Sequence, residues 1–114
     1  MAEIIEVTLR LMAALVLGGL VGLNRNLHHK SVGLRTLAIV SFGSALFVLA
    51  VVPFPGSALV YDTSSVSRVV QGIVAGIGFL GAGCIVRPNR SASVHGFTTA
   101  AALWSTTGIG IICG

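Results

Sequence analysis

The chain has 114 residues, of which 54% are hydrophobic and only 9% charged, and its mean hydropathy is +0.98. Soluble domains carry about a quarter charged residues, so this composition cannot furnish a water-facing surface and excludes a soluble globular domain. The net charge of +4 and a pI near 10.1 raise nucleic acid as a partner, but the basic residues fall in two polar breaks, with Arg10 and Arg68 apart from both, and form no continuous stripe along which a phosphate backbone could run.

Backbone N–H and C=O groups in lipid must be paired within the protein, which leaves helices or a closed barrel. Fifteen glycines and the lack of apolar-polar alternation argue against a barrel. The composition therefore predicts an all-α fold, a polytopic transmembrane bundle of about four helices forming one unit over residues 1–114. Crossing a hydrocarbon core of about 30 Å takes roughly 20 apolar residues, and four segments meet or approach that length: residues 4–23, 36–52, 69–86 and 97–114.

Glu3 and Glu6 stand at the start of the first segment, and a basic cluster follows it. A signal peptide has the opposite charge order, so the segment is expected to stay as a span. Glu6 and Arg10 stand four residues apart and can form an ion pair at the interface. Gly18 and Gly22 form a GxxxG pair, a spacing that lets helix backbones approach closely in lipid.

The break that follows holds Asn24, Arg25, Asn26, His28, His29, Lys30 and Arg35. Asn24 and Asn26 suit a helix end, and Arg35 at the mouth of the second span either snorkels or pairs with a buried group. The loop expected over residues 53–67 opens with Pro53, Pro55 and Gly56, which stop the second helix. Its piece Ala58 to Tyr61 is suited to the membrane interface.

The third span carries Gly72, Gly76, Gly78, Gly81 and Gly83, expected at helix-packing positions, with a second reading in which they line a path or permit bending. Gln71 lies one turn inside, where an amide is expected to find an interhelical partner. The second break holds Arg87, Arg90 and His95. In the fourth span Thr98, Thr99, Ser105, Thr106 and Thr107 can return their hydroxyls to carbonyls of their own helix, so a hydroxyl-rich span need not be a pore.

Both breaks share one side, and the excess of basic residues there makes that side cytoplasmic, with both termini outside. This topology sets Cys84 and Cys113 on the order of 20 Å apart, too far for a disulfide. It also separates Asp62 from the histidines, so no catalytic triad and no metal-ligand set can be assembled. No catalytic residue, metal site or cofactor is expected, and no enzyme.

Four motifs in order resemble the MgtC/SapB family of bacterial inner-membrane proteins: Gly22-Leu23-Asn24-Arg25, Gly33-Leu34-Arg35-Thr36, the run Gly76 to Gly83 reading G-I-G-F-L-G-A-G, and Gly96-Phe97-Thr98-Thr99-Ala100-Ala101 with Trp104. The resemblance spans nearly the whole chain. It implies a helical domain of the bacterial inner membrane with an outside N-terminus, linked to growth in low magnesium and to survival inside phagocytes. On that reading Asn24, Arg25, Arg35, Gln71, Thr98 and Thr99 form a candidate polar patch. The partners are membrane lipids together with other membrane proteins or further copies of the chain.

The sequence departs from the family at polar positions. Asn24 stands where the family has glutamate, Gln71 is one position before the family's glutamine, and His95 replaces an arginine. The family's fifth span has no counterpart, so the chain reads as a truncated member. Three functions are compatible with this sequence: regulation through contacts in the membrane, a subunit for magnesium or other ion transport, and an inactive remnant. A divalent-cation path calls for hard oxygen ligands, and the spans' interiors offer no carboxylate.

Overall fold

The computed structural model describes residues 2–27, 33–52, 62–85 and 97–114. Four helices account for nearly all of them: α1 Ala2–Leu27, α2 Leu34–Leu49, α3 Thr63–Ile85 and α4 Phe97–Cys113. No strand occurs among the described residues. At 1.5 Å per residue, α1 and α3 are about 39 and 35 Å long, enough to cross a hydrocarbon core, whereas α2 and α4 reach only about 24 and 26 Å.

The helix ends differ from the ends of the apolar segments. α1 runs on to Leu27, so Asn24, Arg25 and Asn26 are helical rather than part of the following break. α2 begins at Leu34 and includes Arg35 in its first turn. α3 begins at Thr63, which corrects the expectation of a loop as far as Ser67. The cause is Asp62, whose carboxylate accepts hydrogen bonds from the Ser64 amide at 3.0 Å, the Ser64 hydroxyl at 2.8 Å and the Ser65 hydroxyl at 2.7 Å. The first of these caps an N–H group that the helix itself cannot pair, and the two hydroxyl bonds hold the carboxylate in place. The segment from Ala58 to Tyr61 lies outside the described residues.

α1, α2 and α4 form the tight part of the bundle, and glycines set their spacing. A Cβ on Gly18 would stand 2.5 Å from the Ser41 Cβ and 2.6 Å from the Leu37 carbonyl oxygen. On the far side of α2, a Cβ on Gly114 would lie 2.6 Å from the Ala45 carbonyl oxygen, and one on Gly110 would collide with the Ser41 carbonyl oxygen. Contacts this short require a hydrogen atom in place of a side chain. The pairings fix direction: α1 is antiparallel to α2, and α4 is parallel to α2.

α3 completes the bundle differently. Ile77 reaches a small core with Leu37 and Leu103, against which Val21 and Val40 pack, and Gly81 meets Ala100 at 3.5 Å. Apart from that contact the glycines of α3 are open: nothing lies within 4 Å of a Cβ on Gly72, Gly76, Gly78 or Gly83. Among the described residues no other helix packs against those four.

Large apolar side chains cover the outside. Ile4, Leu9, Val16, Leu20 and Leu27 are exposed along α1, and Phe79 and Ile112 are exposed to 80% and 85%. A continuous aliphatic surface of this kind suits hydrocarbon, not water.

Candidate functional site at the motif end of the bundle

The four sequence motifs meet at one end of the bundle. Gly22 of the first lies against the second: a Cβ there would stand 2.5 Å from the Leu34 Cα and 2.6 Å from the Gly33 carbonyl oxygen. Asn26 fixes the same corner, since its amide oxygen occupies the position that a Gly33 side chain would need. Gly81 of the third motif touches Ala100 of the fourth.

Arg25 ties the first motif to the fourth. Its side chain is buried, with the residue 8% exposed, and its Nη2 donates to the Thr99 Oγ1 at 2.6 Å across 74 residues of sequence. Asn24, Arg25 and Thr99 also take part in further polar interactions. A guanidinium carries five N–H donors and a delocalised positive charge. Burying it requires partners, and here those partners hold α1 against α4.

At the opposite end a second arginine does the same. Arg10 donates to Glu6 through Nη2 at 2.7 Å and Nε at 3.1 Å, and to the Gly114 carbonyl oxygen through Nη1 at 2.6 Å. Arg10 and Arg25 are fifteen residues apart, as are Thr99 and Gly114, so the two arginines hold α1 and α4 in one antiparallel register at both ends. Half-exposed side chains make the Glu6–Arg10 pair itself a modest contributor.

The other predicted polar positions behave differently. Arg35 is exposed beside the motif corner, and Gln71 is exposed on α3, away from Arg25. The side chain of Thr98 and the histidines His28, His29 and His95 lie outside the described residues. In α4 the hydroxyls divide: Thr107 returns to the Leu103 carbonyl at 2.8 Å, Thr99 accepts from Arg25, and the fully buried Thr106 has no hydrogen-bond partner. Ser41 of α2 is in the same position as Thr106. Cys113 is a free thiol.

A second feature runs along α3 from Val69 to Leu80. A cleft of about 540 Å³ separates α2 from α3, with Ile39, Gly43 and Phe47 on one wall and Val69, Gly72 and Gly76 on the other. Its two hydroxyls, Ser44 and Thr107, are already bonded to carbonyls of their own helices. The cleft therefore offers an apolar surface and no free hydrogen-bonding side chain.

Two glycines of α4 carry a sequence signal that apolar span length alone does not use. Gly110 and Gly114 form a GxxxG pair as plain as Gly18 and Gly22, and they make the contact with α2. The cap at Asp62 was likewise signalled by the Asp-Thr-Ser-Ser run.

Comparison with known proteins agrees with the motifs. The MgtC family matches residues 11–114. The chain is 43% identical over 106 residues to the protein MgtC of Salmonella typhimurium, covering 93% of this chain and 42% of that protein. It is 44% identical over 104 residues to the protein MgtC of Brucella abortus, with 91% and 40% covered. Against the protein SrpB of Synechococcus elongatus it is 40% identical over 111 residues, with 92% and 61% covered. The chain thus spans roughly two fifths to three fifths of the length of these curated relatives. No solved structure matches it. With its four motifs gathered at one end of a helical bundle and a family match running from Leu11 to Gly114, the chain belongs to the MgtC family.

Proposed function

We propose that this protein is a non-enzymatic regulator of the bacterial inner membrane that supports adaptation to low magnesium through contacts with other membrane proteins. The observation that carries the reading is the motif end, where Arg25 and Thr99 join α1 to α4 at 2.6 Å and Gly22 brings the α2 start against α1. Family motifs here build a rigid corner between helices, a feature suited to presenting a fixed surface to a partner. The excess of basic residues in the breaks on this side supports a cytoplasmic position for it, with the N-terminus outside. Survival of a pathogen inside host cells would follow from the same adaptation.

Transport is the second reading, favoured by the glycine-lined cleft between α2 and α3. That lining is apolar, and its hydroxyls are bonded within their own helices, whereas a divalent cation prefers several hard oxygen ligands. Regulation is therefore the better supported of the two.

The test is growth in low magnesium of a strain lacking its own family member and expressing this chain, Arg25→Met or Asn24→Glu, with membrane levels measured in parallel. Rescue by the native chain and loss of rescue in Arg25→Met at equal membrane level are the expected results. Stable insertion without rescue by the native chain or Asn24→Glu would sink the regulatory reading.

A further inference from the structure

We propose that α3 is a hinged arm, pivoting where it meets α4 at the motif end and closing the cleft over α2. Three observations lead there. The first is the contrast in packing. α1, α2 and α4 are in backbone contact through Gly18, Gly22, Gly110 and Gly114, whereas Gly72, Gly76, Gly78 and Gly83 of α3 face open space.

The second is where α3 is attached. Its inward contacts are Ile77, buried with Leu37 and Leu103, and Gly81 against Ala100. Both lie in the half of α3 nearest the motif end. The 540 Å³ cleft toward α2 runs along α3 from Val69 to Leu80, and a smaller cleft of about 340 Å³ separates Val74 and Ile77 from the stretch of α4 beyond Leu103. α3 is thus seated on α4 at Gly81 and on the core at Ile77, and is separated from α2 along the cleft.

The third is that the cleft walls match. Gly110 lies beside Ser41 and Ser44, and Gly81 beside Ala100. Counting along α4 at about 1.5 Å per residue brings Gly43 of α2 level with Gly72 of α3, to within about a turn. Two glycines facing each other across a gap let helix backbones meet at close range, and in lipid that van der Waals contact is what drives helices together. Neither wall presents a free polar group that closure would strand, because Ser44 and Thr107 already bond to their own helices. Closure would also remove an apolar gap whose lining atoms now lack protein partners.

The proposal concerns the chain alone and does not depend on the regulatory reading. The experiment uses the full chain in native membranes with Cys84 and Cys113 replaced by alanine. Three double variants are oxidised and read for intramolecular disulfides: Gly43→Cys with Gly72→Cys, Gly43→Cys with Gly78→Cys, and Gly81→Cys with Ala100→Cys. The last pair has Cβ positions 3.5 Å apart, inside disulfide range, and verifies that α3 is seated on α4. Closure predicts that the 43/72 pair cross-links within the chain at least fivefold faster than the 43/78 pair, and that adding Gly76→Leu slows it by a similar factor. Cross-linking of 81/100 with none of 43/72 would overturn the proposal, as would 43/72 links that form only between two chains. Failure of the 81/100 pair in protein that accumulates normally would also overturn it, since the pivot itself would be missing.

Discussion

Gly22 and Gly33 are eleven residues apart and meet: a side chain on Gly22 would lie 2.6 Å from the Gly33 carbonyl oxygen. The contact joins two sequence motifs at the turn from α1 to α2, and it belongs to a seam in which α2 is held between α1 and α4 at hydrogen-atom clearance. Substituting Gly22, Gly18 or Gly110 with alanine should therefore force backbones apart at a cost of about 1–3 kcal/mol each, the usual range for overpacking. Gly78→Ala and Gly83→Ala, which meet nothing within 4 Å, should cost nothing measurable. Thermal unfolding in detergent distinguishes the two groups. Equal losses at Gly22 and Gly78 would mean that the seam is not where the bundle is tight.

Arg25 and Thr99 give a different kind of prediction, because the buried group is charged. Thr99→Val removes an acceptor from a guanidinium whose remaining interactions stay in place. The expected loss is about 1.5–3 kcal/mol, the range for a hydrogen bond to an ion. Arg25→Lys should not restore the native stability, since an ammonium cannot reproduce the planar fork of donors. Midpoints from the same unfolding assay check both. A Thr99→Val protein as stable as the native one would remove this bond from the forces holding α1 to α4.

The number of helices and their order along the chain were legible in the sequence, because apolar length decides them. Arg25 shows where that legibility stops. In sequence it sits among Asn24, Asn26 and the histidines and reads as the polar end of a span. Its burial follows from Thr99, 74 residues away, and no local pattern carries that information. Gly72 and Gly76 show the converse: their GxxxG spacing is the same as that of Gly18 and Gly22, yet among the described residues the latter pair alone touches another helix. Spacing identifies a face that can pack. It does not say against what.

Ser41 and Thr106 supply a third prediction. Both hydroxyls are fully buried and have no hydrogen-bond partner, and a buried unsatisfied polar group costs about 1–3 kcal/mol. Thr106→Val keeps the shape while removing the hydroxyl, and Ser41→Ala removes it with the loss of one atom. Each variant should be at least as stable as the native protein, with Thr106→Val raising the unfolding midpoint. A fall in the midpoint for both would point to a buried water bound by these hydroxyls.

Asp62 carries the last prediction, which concerns pH. The hydroxyls of Ser65 and Ser64, followed by the Ser64 amide, donate to its carboxylate and hold its pKa below the usual aspartate value of 3.8. A carboxyl whose folded pKa is depressed adds stability in full above its unfolded pKa and loses it as pH falls through the folded one. The start of α3 should thus be insensitive to pH from neutral down to about 4, then fray under more acidic conditions as the cap is protonated. Amide exchange at Thr63 to Ser67 in detergent micelles, measured at several pH values, reads this directly. Asp62→Asn retains an oxygen that can accept from the Ser64 amide but has no proton to gain, so its exchange should follow only the intrinsic pH dependence. Asp62→Ala should expose the first turn at every pH. If the native protein and Asp62→Asn show the same profile down to pH 2, the carboxylate charge has no part in holding that turn.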